Sequence, residues 1–217
     1  MSDFIARRTI MVDTQVRPSD VTKFPIIDAM LDVPREAFVP ANLREAAYLG
    51  ENLEIGGERV LLEPRTLAKM LDALNIQPGY VALDIGCGLG YSTALLAHMC
   101  DFVVGLEDDD DRAEEAQSLL SEHGIDNAAV VHGPLAEGAA KSGPYDVILI
   151  QGAVEAVPEA LLGQLREGGR IACVFAEGAL GVVRIGHKID GRMTWRFSFN
   201  AGAPVLPGFH KPAAFTL

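Results

Sequence analysis

An acid and three glycines at alternate positions follow a short apolar segment, in the order Asp84, Gly86, Gly88 and Gly90. Because glycine has no Cβ, a ligand can lie directly against the backbone of such a turn, and the helix expected after it adds unpaired N–H donors. The G-x-G-x-x-G spacing of a dinucleotide-binding turn is absent. The pattern therefore favours a nucleotide-like ligand other than NAD. The alternative is a tight strand-to-helix bend that binds nothing.

Two acidic residues follow about 20 residues after this turn, at the end of the next apolar segment: Glu107 and Asp108. A carboxylate at this place can accept hydrogen bonds from both hydroxyls of a ribose. Asp108 also begins an acidic run, 108–111, whose simpler explanation is favourable charge at the start of a helix. Cys87 is interpreted as a small residue of the turn, since the sequence places no base or second thiol beside it.

The elements that must position these residues alternate along the chain in the rhythm of a parallel α/β sheet. We predict strands at 80–85, 102–106, 128–132, 147–151 and 169–174, and helices at 91–99, 112–123 and 158–165. Two further strands, 182–188 and 193–199, flank Asp190-Gly191, a dipeptide suited to a tight hairpin turn. The expected fold class is α/β: a mostly parallel open sheet, helices on both faces and a C-terminal antiparallel hairpin.

The sequence predicts a helical N-terminal lobe at residues 1–79 and an α/β core at residues 80–217. We expect the two to form one structural domain. Ser19 and Asp20 offer N-cap oxygens to a first helix that Pro34 ends. Pro64 suits the first turn of a later helix, whose apolar residues 67, 70, 71 and 74 share one face. We expect the lobe to lie across the sheet edge where the strands' carboxyl ends meet, because open α/β sheets bind ligands there.

The composition excludes several classes of protein. The 217 residues include 18 basic and 30 acidic ones, a formal charge of −12 that would repel a nucleic-acid backbone. The three cysteines are widely spaced and odd in number, unlike a disulfide framework or a zinc site. No stretch approaches the roughly 18 apolar residues of a membrane span, and no signal-like leader opens the sequence. We expect a soluble, cytoplasmic protein; its oligomeric state stays open.

Motifs along most of the chain resemble the protein-L-isoaspartate O-methyltransferase family. They are VPREAFVP at 33–40, Tyr48, LEIG at 53–56, Pro64, LDIGCGLGY at 83–91, GPYDVILI at 143–150 and QLREGG at 164–169. The motif at 33–40 is specific, because generic cofactor binding does not need it. The resemblance, over residues 5–175, implies a seven-stranded Rossmann-like sheet of class I methyltransferases. It also implies methyl transfer from S-adenosyl-L-methionine to an isoaspartyl carboxylate of a damaged protein.

Three segments depart from the family's pattern. The family's G-Q-T-I-S-x-P reads ERVLLEP at 58–64, so Leu62 replaces the serine beside the transferred methyl and the catalytic residue is unassigned. The family's Gly-Asp-Gly reads Gly133-Pro134-Leu135, which leaves Pro134 and Leu135 as apolar contacts for adenine. The family's F-V-P-L segment is not evident, and residues 199–207 stand in its neighbourhood. The cofactor half of the resemblance is therefore better preserved than the acceptor half.

Three further side chains are candidates for the acceptor side of the site or for adenine. Arg35 and Arg59 could each bind a substrate carboxylate through two N–H bonds, or pair with nearby acids such as Glu36 or Glu58. A carboxylate acceptor is already ionised at neutral pH, so we assign His132 a structural or adenine-edge role rather than that of a base. The remaining histidines lack the spacing of metal ligands, and no metal site is expected.

The leading hypothesis is an S-adenosyl-L-methionine-dependent carboxyl methyltransferase acting on an isoaspartyl peptide or protein. Its predicted cofactor-binding residues are Asp84, Gly86, Cys87, Gly88, Gly90, Glu107, Asp108, Pro134 and Leu135. Leu62 keeps two alternatives open: a methyltransferase with another acceptor, and a cofactor-binding protein without catalysis. An NAD-dependent oxidoreductase would share the acid after the second strand but needs a different glycine spacing.

Overall fold

The computed structural model describes residues 3–178 and 180–211. Its α-helices are α1 Phe4–Met11, α2 Phe24–Asp32, α3 Pro64–Leu74, α4 Tyr91–Ala97, α5 Asp110–Glu122 and α6 Glu159–Leu162. Its strands are β1 Leu53–Gly56, β2 Arg59–Leu61, β3 Val81–Ile85, β4 Phe102–Glu107, β5 Ala128–His132, β6 Tyr145–Val154, β7 Leu165–Phe175, β8 Val182–Ile189 and β9 Arg192–Asn200. Within these residues no helix is both long enough and apolar enough to cross a membrane.

Seven strands form one sheet in the order β5-β4-β3-β6-β7-β8-β9. Strands β3 to β7 are parallel, whereas β8 pairs antiparallel with both β7 and β9. Asp190 and Gly191 join β8 to β9 with φ angles of 51° and 70°, the left-handed values that a tight hairpin turn needs. The predicted α/β fold class, the parallel strands and the C-terminal hairpin are confirmed.

The two faces of the sheet are covered by different parts of the chain. Successive strand residues point to opposite faces, so Ala82 joins one buried apolar cluster and Leu83 the other. The first cluster contains buried residues of α1 to α5, and the second is completed by α6 and by Leu206 and Phe209 near the described C-terminal end. Helices therefore lie on both faces of the sheet, α1 to α5 against the first cluster and α6 against the second.

The predicted helix at 158–165 is wrong in length. Helix α6 ends at Leu162, because the chain joins the sheet almost at once: the Tyr145 N–H donates to the Gln164 carbonyl at 2.8 Å, and Leu165 is already paired with Tyr145 in β7. The crossover between β6 and β7 is therefore a single helical turn. The helices predicted at 91–99 and 112–123 correspond to α4 and α5 with small shifts at their ends.

The N-terminal segment departs from prediction at two places. Helix α2 begins at Phe24 with Lys23 as its N-cap, not at Ser19 or Asp20, because Asp20 has a left-handed φ of 65° that ends the preceding turn. The antiparallel pair β1–β2, which we call the N-terminal hairpin, was not predicted and belongs to no larger sheet. Helix α3 has the expected bounds and buried face. The division of the chain at 79/80 stays a prediction.

Candidate cofactor site

The glycine turn connects β3 to α4 in the backbone conformation that its composition predicts. Gly86, Gly88 and Gly90 have φ angles of 72°, 59° and 96°, which L side chains rarely adopt. The N–H groups of Gly86 and Cys87 both donate to the carbonyl of Leu106, at 2.8 and 3.2 Å. These bonds fasten the turn to the end of β4 and bring it beside Glu107.

Asp84 is fully buried beneath this turn, and protein groups occupy its carboxylate. It accepts hydrogen bonds from Ser92 Oγ at 2.6 Å, Thr93 Oγ1 at 2.7 Å and Gln151 Nε2 at 3.1 Å. Burial raises the pKa of Asp84 to about 6, although these donors favour the charged form. Asp84 therefore holds β3, α4 and β6 together at the turn.

Glu107 is the most heavily bonded residue of the site, and its carboxylate has no exposed surface. Its Oε1 accepts from Arg59 Nη1 at 2.9 Å, Arg112 Nη1 at 3.2 Å and the Asp108 N–H at 3.2 Å. Its Oε2 accepts from Arg59 Nη2 at 3.0 Å and the Gly88 N–H at 2.8 Å. Burial raises the pKa of Glu107, and the guanidinium of Arg59 opposes that rise.

Arg59 pairs with residues that are distant in sequence rather than with Glu58, which corrects the local pairing considered above. Besides its two bonds to Glu107, its Nη1 contacts Asp108 Oδ1 at 2.7 Å. The side chain is almost completely buried, yet its Nε has no acceptor among the described residues. Arg59 is thus a buried counter-ion for the two acids at the end of β4.

Protein atoms fill the space above the glycine turn. A Cβ added to Gly86 would lie 2.7 Å from Arg59 Nη2 and 3.3 Å from Leu206 Cδ1, and one added to Gly88 would lie 3.0 Å from Ile55 Cδ1. The cavity that remains there, bordered by Phe38 and Gln151 among others, measures about 10 Å³. That is no more than the space of one water molecule. Phe38 belongs to the motif at 33–40, so the expected position of this motif near Gly86 is confirmed.

A second cavity lies at the end of β5 and is much larger. It measures about 390 Å³ and is lined by Asp108, His132, Gly133, Pro134, Leu135, Ala136, Pro207 and Gly208. His132 is about half exposed there, with Nδ1 3.4 Å from Asp110 Oδ1. The predicted apolar contacts Pro134 and Leu135 therefore border open space large enough for a purine base.

The residues expected on the acceptor side, Leu62 and Arg35, are buried in the closed structure. Leu62 is fully buried, and its carbonyl accepts a hydrogen bond from Arg35 Nη2 at 2.8 Å. Arg35 also donates to the Ala47 carbonyl at 2.6 Å and stacks on the Tyr91 ring, 4.8 Å from its centroid. No carboxylate pairs with Arg35 among the described residues, so the pairing with Glu36 was wrong. Burial lowers the pKa of Arg35.

Sequence reasoning missed four residues that shape the site: Ile55, Arg112, Gln151 and Leu206. Arg112 had a local signal, because it lies five residues after Glu107 in the first turns of α5. Leu206 belongs to the segment 199–207 already singled out, but its position depends on a backbone bridge beside Ala153, with the Leu206 N–H 2.9 Å from that residue's carbonyl. Ile55 lies in the motif at 53–56 and Gln151 ends the predicted strand at 147–151, but nothing in the sequence indicated that either side chain borders the glycine turn.

The thiols and the acids of the described chain give no sign of redox or metal chemistry. Cys87, Cys100 and Cys173 are all buried and unpaired. Burial raises the pKa of Cys87 well above its ordinary value, so the group is a neutral thiol, as its interpretation as a small turn residue requires. In residues 3–178 and 180–211 no group of three or more histidines, cysteines or acids is arranged to hold a metal ion.

The residues of the candidate site have the chemistry that a nucleoside cofactor requires, but only one end of the site has space for it. The glycine turn permits close approach, Glu107 is a carboxylate at the expected place, and the cavity at Pro134 can receive a base. At Glu107, however, five donors already occupy both oxygens, and the cavity beside the turn is too small for a ribose. A cofactor therefore does not fit at the turn in this conformation.

Comparisons with known proteins agree on one family. The model of a family described as protein-L-isoaspartate(D-aspartate) O-methyltransferase matches residues 8–195. The protein-L-isoaspartate O-methyltransferase of Koribacter versatilis is 34% identical over 193 residues, covering 89% of this chain and 87% of the relative. That of Syntrophus aciditrophicus is 36% identical over 171 residues, covering 79% and 78%.

Solved structures give the same result. A protein-L-isoaspartate O-methyltransferase superposes with a TM-score of 0.80 at 25% identity, covering 93% of this chain and 66% of that one. A Plasmodium falciparum protein solved with S-adenosyl-L-homocysteine has a TM-score of 0.78 at 20% identity, covering 95% and 99%, and it shows the shared fold. Since the family model spans most of the sequence and both relatives exceed 30% identity over most of its length, the chain belongs to the protein-L-isoaspartate(D-aspartate) O-methyltransferase family, a family of methyltransferase enzymes.

Proposed function

We propose that the chain transfers the methyl group of S-adenosyl-L-methionine to the side-chain carboxylate of an isoaspartyl residue in a damaged protein. The observation that carries this proposal is the match of the family model to residues 8–195. The glycine turn beside a buried strand-end carboxylate supports it, because this pair of features suits a nucleoside ligand. The bound S-adenosyl-L-homocysteine of the Plasmodium falciparum protein supports the choice of cofactor.

Each residue of the site has a proposed role. Gly86, Cys87, Gly88 and Gly90 give the cofactor access to the backbone, and Asp84 fixes the turn. Glu107 receives the ribose hydroxyls, with Asp108 beside it, and Pro134 and Leu135 contact the base. We assign no catalytic residue, because an aligned carboxylate and the exclusion of water supply much of what a methyl transfer requires from a protein.

The proposed setting of the protein follows from charge and cysteine chemistry. A net charge of −12 disfavours nucleic acid as a partner, and the acceptor is a peptide or protein. Three buried, unpaired cysteines are compatible with a reducing compartment, and we propose the cytoplasm.

The test of the function is methyl transfer from labelled S-adenosyl-L-methionine to an isoaspartyl peptide, with the matching aspartyl peptide as control. We expect slow transfer to the isoaspartyl peptide only, because Leu62 offers no hydrogen bond to the acceptor carboxylate. No transfer to either peptide at saturating cofactor, from protein shown to be folded, would overturn the proposed acceptor.

Leu62→Ser tests the role of this position, with Leu62→Ala as its matched control. Both variants replace the large Leu62 side chain by a small one, and they differ from each other only in the hydroxyl group. One donor to a buried carboxylate is worth about 1–3 kcal/mol, so the serine variant should be roughly tenfold to a hundredfold faster per folded molecule than the alanine variant. Equal rates in the two variants would contradict the assignment of Leu62 to the acceptor side.

A further inference from the structure

We propose that Arg59 closes the cofactor site from within, so that the cofactor enters only when the Arg59 guanidinium leaves Glu107 and the N-terminal hairpin moves with it. The inference rests on the proposed function, since it concerns the admission of that cofactor. It makes Arg59 a positioning residue that sets the affinity of the enzyme for its methyl donor.

The carboxylate of Glu107 has no free acceptor position. It offers about four such positions, and five donors already point at it. Two of the five come from Arg59 in a bidentate arrangement, which is the strong and geometrically specific form of such a pair. The two hydroxyls of a ribose can bind Glu107 only by replacing side-chain donors, and Arg59 supplies two of these, one to each oxygen, whereas Arg112 supplies one.

The atoms nearest the glycines come from one part of the chain. Arg59 Nη2 lies against Gly86, and Ile55 Cδ1 lies against Gly88. Arg59 belongs to β2 and Ile55 to β1, so both side chains come from the same N-terminal hairpin. Movement of this hairpin would uncover Gly88 and remove the nearer of the two side chains at Gly86, where Leu206 would remain.

The N-terminal hairpin can move without breaking the main sheet. Among the described residues β1 and β2 pair only with each other, and Leu53, Val60 and Leu61 are held by apolar packing in the first cluster rather than by strand pairing with the sheet. Three successive residues at its turn have positive φ: Gly56, Gly57 and Glu58. A cavity of about 780 Å³ also borders Arg59 and the hairpin, which gives a displaced guanidinium space to occupy.

The closed arrangement leaves buried polar atoms unpaired. Arg59 Nε has no acceptor and Gln151 Oε1 has no donor among the described residues, although both side chains are more than nine-tenths buried. Both residues border the region of the glycine turn. The closed arrangement therefore does not satisfy every buried polar group around the turn, which lowers the cost of leaving it.

The direct test is calorimetric titration of S-adenosyl-L-methionine and S-adenosyl-L-homocysteine into wild type, Arg59→Gln and Arg184→Gln. The control removes the same charge from an exposed pair with Glu177, remote from the glycine turn. We expect Arg59→Gln to bind both ligands at least tenfold more tightly than wild type, and Arg184→Gln to bind them within twofold of wild type. Equal or weaker binding by Arg59→Gln overturns the proposal.

A second variant keeps both Arg59 and Glu107. Asp108→Asn removes the charge that holds Arg59 Nη1 at 2.7 Å, so it should loosen the closure and speed hydrogen exchange at the amides of residues 53–61; exchange is the readout for this variant, because Asp108 is also a proposed cofactor contact. Hydrogen exchange without ligand should be faster at the amides of residues 53–61 in Arg59→Gln than in wild type, while β3, β4 and β6 stay equally protected. Unchanged exchange in the hairpin would show that Arg59 does not hold it closed.

The closure of the site by Arg59, which we call the gate, and the proposed methyl transfer can be refuted separately. Tighter ligand binding by Arg59→Gln without methyl transfer by any variant would refute the proposed reaction and support the gate. Methyl transfer by wild type together with unimproved binding by Arg59→Gln would refute the gate and support the reaction.

Discussion

The two ends of the candidate cofactor site differ in what occupies them. At the end of β5, apolar residues around Pro134 border a cavity of about 390 Å³, whereas beside the glycine turn only about 10 Å³ remains. The open end has lost the acid that the family pattern places there, and the closed end has kept its acid, Glu107. The better preserved motif therefore lies at the end that a ligand cannot enter without a rearrangement.

The difference follows from the cost of burying charge. An apolar lining needs no partner, so the cavity at Pro134 and Leu135 can stay open. A carboxylate with no exposed surface must be paired and hydrogen-bonded, and the neighbouring N-terminal hairpin supplies Arg59 for that purpose. The buried acid at the closed end is therefore matched by an internal cation, whereas the open end needs none.

The largest expected effect is on stability at the closed end. Glu107→Gln removes the main partner of a buried guanidinium, and breaking such a pair costs about 3–5 kcal/mol of the free energy of unfolding. Glu177→Gln removes the partner of a partly exposed arginine, Arg184, and should cost less than about 1 kcal/mol. Urea unfolding of the two variants measures both costs. Similar losses of the free energy of unfolding in both variants would show that the Arg59–Glu107 pair stabilises the fold no more than the pair of Arg184 with Glu177.

A smaller effect concerns the pH dependence of stability through Asp84. Its pKa rises from an ordinary 3.8 to about 6 in the fold, so the folded protein binds more protons than the unfolded chain between these values. The stability that Asp84 contributes is therefore fully present below about pH 4 and is lost as the pH rises through about 6, by about 3 kcal/mol. Asp84→Asn should lack this loss.

Unfolding wild type and Asp84→Asn in urea from pH 4 to pH 7 tests this prediction. Other carboxylates titrate in the same range, but apart from Glu107, whose charge acts on Asp84, they contribute equally to both proteins. The difference between the two curves therefore reports Asp84 together with its coupling to Glu107. Parallel curves would mean that the donors from Ser92, Thr93 and Gln151 outweigh burial and keep Asp84 ionised.

The smallest effect on stability belongs to the open end. Pro134→Asp replaces an exposed residue whose φ of −61° aspartate readily adopts, so the free energy of unfolding should change by less than about 0.5 kcal/mol. The new carboxylate can accept a hydrogen bond from the adenine amino group and should tighten S-adenosyl-L-methionine binding about tenfold. Pro134→Asn is the neutral control. Equal affinities in the two variants would argue against adenine at this cavity.

Much of the fold could be predicted because its signals are local. The alternation of short strands and helices gave the parallel sheet, and Asp190-Gly191 gave the hairpin, since a dipeptide by itself can adopt both left-handed conformations. Helix α6 could not be predicted in length, because a bond between Tyr145 and Gln164 ends it. The N-terminal hairpin was missed for a similar reason: β1 and β2 are four and three residues long.

The sequence by itself determined the place and the chemical class of the site. The glycines at 86, 88 and 90 and the acid at 107 lie at the ends of adjacent strands, and parallel strands bring such residues to one edge. Only the tertiary structure decided that Arg59 occupies this edge, because its contact with Glu107 spans 48 positions and depends on where the N-terminal hairpin packs. Proximity in the sequence suggested the carboxylate of Glu58 as the partner of Arg59. The buried carboxylate prevailed because, away from water, it gains far more from a counter-ion than an exposed one does.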